Sequence, residues 1–111
     1  MEKPTPHYDL RRLQELASRP ETRFVSLRAQ KDAFKCGYAH DREIIREIRT
    51  LRHTDFHKSM TSDWDHTLWQ DVYKVSRHHP LRPDQEQRLY IKLQESKDGK
   101  AVVISFHPAD T

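Results

Sequence analysis

Residues 88–107, RLYIKLQESKDGKAVVISFH, limit the possible folds more than any other stretch of this chain. Asp98-Gly99 lies between two runs of strand-forming residues. A two-residue type I′ turn needs positive φ at both central positions, and that dipeptide is a strong signal for it. With those two residues as the loop, Lys97 faces Lys100, Leu93 faces Ile104, Lys92 faces Ser105, Ile91 faces Phe106 and Tyr90 faces His107. Alternation then assigns Ile91, Leu93, Ile104 and Phe106 to a core face, and Tyr90, Lys92, Val103, Ser105 and His107 to the other. A slip of one residue would scramble both sets. The second face is either the ordinary solvated side of an antiparallel sheet or a surface that holds a ligand.

Upstream, the period changes. Leu10, Leu13, Leu16 and Ala17 form one apolar stripe in residues 8–18, a short amphipathic helix. TRFVS at 22–26 reads as a short strand, and Ser26 caps a helix LRAQKDAFK that Gly37 ends in the left-handed conformation. Asp41 is expected to cap REIIREIRTL, with Ile44, Ile45, Ile48 and Leu51 inward and its arginines outward, paired locally to Glu43 and Glu47. From Thr54 the chain becomes β in character, first TDFHKSMT and then HTLWQDVYKV. In the first of these, Phe56, Lys58 and Met60 share one face by simple alternation. Trp64, Trp69 and Tyr73 read as core or edge packing. SRHHPLRPDQEQ, residues 76–87, holds two prolines and few apolar residues and reads as a long loop. Helices first and strands later indicate an α+β fold: a central, mainly antiparallel sheet with helices packed on one face. If the helices cover the Ile91/Phe106 side, the Tyr90/His107 side stays open.

A chain of 111 residues fits one domain, residues 1–111. Its 20 Lys and Arg against 17 Asp and Glu give a mildly basic protein that suits, without requiring, a nucleic-acid partner. Residues 1–60 carry 13 basic and 9 acidic side chains, and residues 61–111 carry 7 and 8. One cysteine, Cys36, rules out an internal disulfide, and no apolar run approaches a membrane span. A soluble, cytoplasmic protein with no membrane contact is expected.

Eight histidines invite a metal reading. His53-x₃-His57 has a suitable interval, but no cysteine pair supports it and zinc needs three or four converging ligands; no metal and no cofactor are expected. There is no G-x-S-x-G, no base near Cys36, and two glycines are too few for a phosphate-binding loop. Metal-free RNA cleavage remains. The substrate's own 2′-hydroxyl is then the nucleophile, and the protein supplies a base, an acid and cations for the phosphorane. Lys, Tyr, His and Arg on an open sheet face can provide these, and Tyr and His also stack on unpaired bases.

MEKPTPH at the start, DFHKSMT at 55–61, DHTLWQDVY at 65–73, then LYIKL and VVISF resemble, in the same order along nearly the whole chain, the motility quorum-sensing regulator family of toxins. The resemblance implies a RelE-like fold and a type II toxin that acts as a messenger-RNA interferase. Such a toxin cleaves free mRNA at short GC-containing sequences, independently of metal and of the ribosome. It leaves a 2′,3′-cyclic phosphate and a 5′-hydroxyl. By the matching motifs, the resemblance assigns catalysis to Lys58 of DFxKSM, Gln70 of WQDVY, Tyr90 of YxK and the position after the last strand's SF, which is His107. The family usually has lysine there; histidine can act as acid or base near neutral pH, so a stronger pH dependence is expected. Arg88 and Lys92 are expected to contact the RNA backbone. The implied partner is an MqsA-like antitoxin, a zinc-containing helix-turn-helix protein, so that operator DNA is met only indirectly. The rival reading is a non-catalytic RNA- or protein-binding module of the same fold. The stretch 76–87 is longer than the family norm.

Overall fold

The computed structural model describes residues 1–110. Its strands are β1 (Glu2–Lys3), β2 (Arg23–Val25), β3 (Phe56–Thr61), β4 (Trp69–His79), β5 (Arg82–Glu95) and β6 (Ala101–Pro108), and its helices are α1 (Leu10–Ala17), α2 (Leu27–Lys35) and α3 (Asp41–Arg49). The strands form one sheet in the order β1-β3-β4-β5-β6-β2. Every pairing is antiparallel except β2 with β6, so the sheet is mixed at that edge. The α+β expectation holds.

The helices form because their apolar residues recur on one side. Leu13, Leu16 and Ala17 of α1, Ala29 and Ala33 of α2, and Ile44, Ile45 and Ile48 of α3 are all buried. They meet Tyr73, Val75, Leu89, Ile91, Leu93, Val103 and Phe106 from one face of the sheet in a single core. Among the described residues, no helix is long and apolar enough to cross a membrane. Ser26 caps α2 as expected, accepting from Ala29 N at 3.0 Å. Asp41 does not cap α3. His40 holds that position without a side-chain bond, and Asp41 lies in the first turn, where the helix dipole favours a carboxylate. Glu47 pairs with Arg77 of β4 at 2.9 Å rather than with the arginines of its own helix.

The hairpin departs from expectation twice, and the departures cancel. Asp98 does not take positive φ; only Gly99 does. The turn is closed by Gly99 N donating to Ser96 O at 3.0 Å, so Glu95 pairs with Ala101 and Leu93 with Val103. A bulge then absorbs one residue, Ile104, and the register resumes as Lys92↔Ser105, Ile91↔Phe106 and Tyr90↔His107. Val103 is therefore core and Ile104 is not, the reverse of the simple alternation.

Residues 76–87 are not a loop. β4 and β5 run on to His79 and Arg82 as a hairpin arm, and the turn lies at Pro80-Leu81. Proline is tolerated there because Pro80 is in the turn and Pro83 lies near the strand's start. The arm is fastened to the helical layer by Gln87 Nε2 donating to Cys36 O at 2.9 Å, and by the Arg77–Glu47 pair. Cys36 itself is buried packing, and burial pushes its thiol up. Gly37, at φ +95°, lies beneath the arm: a Cβ there would come within 2.7 Å of His79 Cε1 and 3.0 Å of Pro80 Cδ. Gly37→Ala is thus expected to destabilise by about 2 kcal/mol through backbone strain and steric conflict. Urea unfolding measures it; a change near zero would mean that the arm does not rest on this turn.

Candidate functional site

The face opposite the helices is assembled from four strands in register. One row reads Lys58–Val72–Lys92–Ser105 across β3, β4, β5 and β6. The adjoining row holds Lys74, Tyr90 and His107, and on the other side lie Met60, Gln70, Gln94 and Val102. Val72 is the one buried apolar side chain, among the described residues, outside the main core. Lys58 and Lys92 flank it in the same row. Around it the surface is broad and polar. A cleft of about 610 Å³ lined by Tyr8, Leu51 and Tyr73 lies on the helical side instead. A flat, cation-bearing face suits a polymer better than a small molecule.

Lys58 reaches this face through a bulge. The register shifts between Phe56 and Lys58, so Phe56 packs with Tyr73 on the core side while Lys58 pairs with Val72. The expectation that Phe56 and Lys58 share a face fails for that reason. Bulges re-aim side chains in this way. Lys58 Nζ bonds the Glu2 carboxylate at 2.6 Å.

Tyr90 and His107 are cross-strand neighbours, with rings stacked at 4.7 Å and 11°. The Tyr90 hydroxyl points back toward β3, 3.9 Å from Met60 Sδ, and burial pushes its phenol up. His107 Nδ1 lies 2.8 Å from the Pro108 carbonyl. A carbonyl oxygen only accepts, so Nδ1 carries the hydrogen and Nε2 is the nitrogen left to act. Lys92 Nζ stands 5.8 Å from the Tyr90 ring centroid, and its half-buried position pushes the ammonium's pKa down. Arg88, exposed, stands two residues before Tyr90 on the same face.

Gln70 is on this face but tied down. It is mostly buried, and its Nε2 donates to Gln94 Oε1 at 3.0 Å. Next to it in the motif, Asp71 points the other way. It is fully buried and accepts from Ser59 Oγ at 2.6 Å, His7 N at 3.0 Å and Tyr8 N at 2.9 Å. Of the three aromatics expected to be packed, Tyr73 is core, and Trp69 is covered by Lys3, whose Nζ is 4.2 Å from its ring centroid. Trp64 is 99% exposed on the β3–β4 loop, contrary to expectation. That loop closes through polar contacts of Asp65 with Thr67 and of Ser62 N with Leu68 O.

Two residues, His57 and Glu2, are not expected on this face from the sequence, where His57 enters only through its metal-like spacing. His57, the bulged residue, is exposed beside Lys58; burial first, then the Lys74 and Lys58 cations, push its imidazole down. Only the bulge puts it there, and nothing in DFHKSMT signals a bulge. Glu2 lies on the face because it pairs with Met60, although it stands in the opening MEKPTPH. Among the described residues, no three His, Cys, Asp or Glu side chains converge as metal ligands would.

The Lys58 bond, more than any other influence, holds Glu2 below the usual carboxylate range. The pair is therefore intact above the ordinary carboxylate pKa and is lost as pH falls through Glu2's own lower value. A ¹³C NMR titration is expected to show a depressed midpoint for Glu2 that returns to normal in Lys58→Met. An ordinary midpoint in the unsubstituted protein would mean that the pair does not form in solution.

Residues 5–108 match the family described as "Motility quorum-sensing regulator, toxin of MqsA". The chain is also similar to the mRNA interferase toxin MqsR of Escherichia coli (strain K12). The two are 39% identical over 74 residues, covering 67% of this chain and 74% of that protein.

Proposed function

Because this chain belongs to the motility quorum-sensing regulator family, the toxins of MqsA, we propose that it is an endoribonuclease that halts translation by cutting messenger RNA. The similarity to an mRNA interferase supports this reading. The observation that carries it is the clustering of Lys58, Tyr90, His107, Lys92 and Arg88 on one uncovered sheet face. Cleavage proceeds without metal and without the ribosome, at short GC-containing sequences. The 2′-oxygen attacks the adjacent phosphorus, giving a 2′,3′-cyclic phosphate and a 5′-hydroxyl.

Each group has a part that its chemistry fits. The Lys58 cation stabilises the charge that builds on the phosphorane. Tyr90 hydrogen-bonds the phosphate through its hydroxyl, and its ring, stacked with His107, offers a surface for an unpaired base. His107 protonates the leaving 5′-oxygen from Nε2. Lys92 and Arg88 hold flanking phosphates, and Gln70 keeps the floor of the site in place through Gln94. An MqsA-like antitoxin, with zinc and a helix-turn-helix of its own, binds and restrains the toxin, and contact with operator DNA runs through that partner. The toxin acts in the cytoplasm, where its substrate is.

The test is a defined RNA incubated in EDTA with the unsubstituted protein, Lys58→Ala and Tyr90→Phe. New 5′-hydroxyl ends are expected with the first and far fewer with the two variants. Equal cutting by all three would overturn the residue assignment. RNA bound but uncut would mark a binding module instead.

A further inference from the structure

Attack by a 2′-hydroxyl needs an unprotonated group beside it. Lys58, Lys92 and Arg88 are cations, and burial moves the Tyr90 phenol away from ionisation. Glu2 is an anion at the same corner of the sheet. Alternation along β1 and the Glu2↔Met60 pairing put it on the open face, its carboxylate 2.6 Å from Lys58 Nζ. The Tyr90 hydroxyl approaches the same Met60. β1 is held by other contacts: Thr61 N donates to Met1 O at 2.9 Å, and the Lys3 ammonium sits over Trp69. An exposed ion pair adds little to stability, so the fold does not need the Glu2 side chain.

We propose that Glu2 is the general base of the cleavage, taking the 2′-hydroxyl proton while its partner Lys58 passes to the substrate phosphate. The proposal rests on the nuclease reading above. In the free protein Lys58 stabilises the ionised carboxylate. When a phosphate oxygen takes over Lys58, the carboxylate loses that cation and gains an anionic neighbour. Both changes raise its proton affinity as the 2′-hydroxyl arrives. The proton moves to Glu2, the bond from the 2′-oxygen to phosphorus forms, and the bond from phosphorus to the 5′-oxygen breaks. The departing oxygen receives its proton from His107. Glu2 then gives its proton to water and His107 regains one, so neither is changed overall. The charged and titratable groups around Glu2 are Lys58 and His57 of β3, the amine of the preceding Met1, and Tyr90 of β5.

Single-turnover cleavage of a short RNA with one cut site, in EDTA from about pH 4 to pH 9, tests the assignment with Glu2→Gln, Glu2→Asp and His107→Ala. Glu2→Gln is expected to slow cutting by about 10²-fold or more at neutral pH. It should leave RNA affinity unchanged or tighter and remove the carboxylate limb of the pH profile, with Glu2→Asp retaining more activity. A substrate whose 5′-bridging oxygen is sulfur needs no proton on its leaving group. It is expected to restore His107→Ala but not Glu2→Gln. Glu2→Gln cutting at the full rate or faster, with tighter RNA binding, would reduce Glu2 to a clasp on Lys58. A carboxylate limb that survives the substitution, or a comparable loss in His57→Phe with Glu2→Gln intact, would also overturn the proposal. If Lys58→Ala is inert while Glu2→Gln is not, the nuclease reading stands and this one falls. An unsubstituted protein inert toward RNA overturns both.

Discussion

Lys58→Ala is expected to lower the rate of RNA cleavage by about 10²–10³-fold, the usual cost of removing one preorganised group from a charge-developing transition state. The loss should fall mainly on the chemical step. In the proposed mode Lys58 meets a single phosphate, whereas Lys92, Arg88 and the Tyr90–His107 pair, stacked on the same face, share the rest of the RNA, so ground-state affinity is spread over more contacts. Stability should hardly move, because the ammonium is partly exposed and its partner Glu2 is at the surface. Single-turnover rates, RNA binding and urea unfolding separate the three quantities. A variant that binds tenfold more weakly yet cuts bound RNA at the normal rate would make Lys58 a binding contact only.

Asp71→Ala carries the largest expected cost in stability, roughly 3–5 kcal/mol. The carboxylate is fully buried and receives three donors, two of them backbone amides of the segment leading into α1. Alanine would leave those amides and the Ser59 hydroxyl without a partner in a site that water does not reach. The resulting fall in Tm is more than about 10 °C for a chain of this size, measurable by calorimetry or circular dichroism. A fall of only a few degrees would mean that the His7–Tyr8 segment is not held by this carboxylate.

Asp71 also marks where reading the sequence stops. WQDVY stands out as a motif, yet its two polar residues do opposite work: Gln70 faces the open side and Asp71 braces the chain behind it. Alternation says that they point apart, but not which side carries chemistry. The apolar periods of α1, α2 and α3 were legible because burial imposes them. Tyr90 and His107 were legible as a pair because the Asp98-Gly99 turn fixes a register, even though the turn type was different and the Ile104 bulge was needed to restore it. The arm at 76–87 was misread because its hairpin is stabilised by contacts distant in sequence, Gln87 with Cys36 and Arg77 with Glu47, which local composition cannot show. His57 and the true side of Phe56 depend on a bulge with no composition of its own. Glu2 depends on a pairing 58 residues away, between Glu2 and Met60.

The place of β6 in the sheet bears on how the protein comes into being. It follows the other described strands along the chain, yet it lies between β5 and β2, supplies Val103 and Phe106 to the core and carries His107. A nascent chain that has emerged only as far as β5 has no partner for β2, an unfilled centre beneath its helices and no stacked partner for Tyr90. Long-range closure of this kind is slow relative to local hairpins. During vectorial synthesis the face that carries Lys58 and Tyr90 is therefore completed only after β6 has emerged.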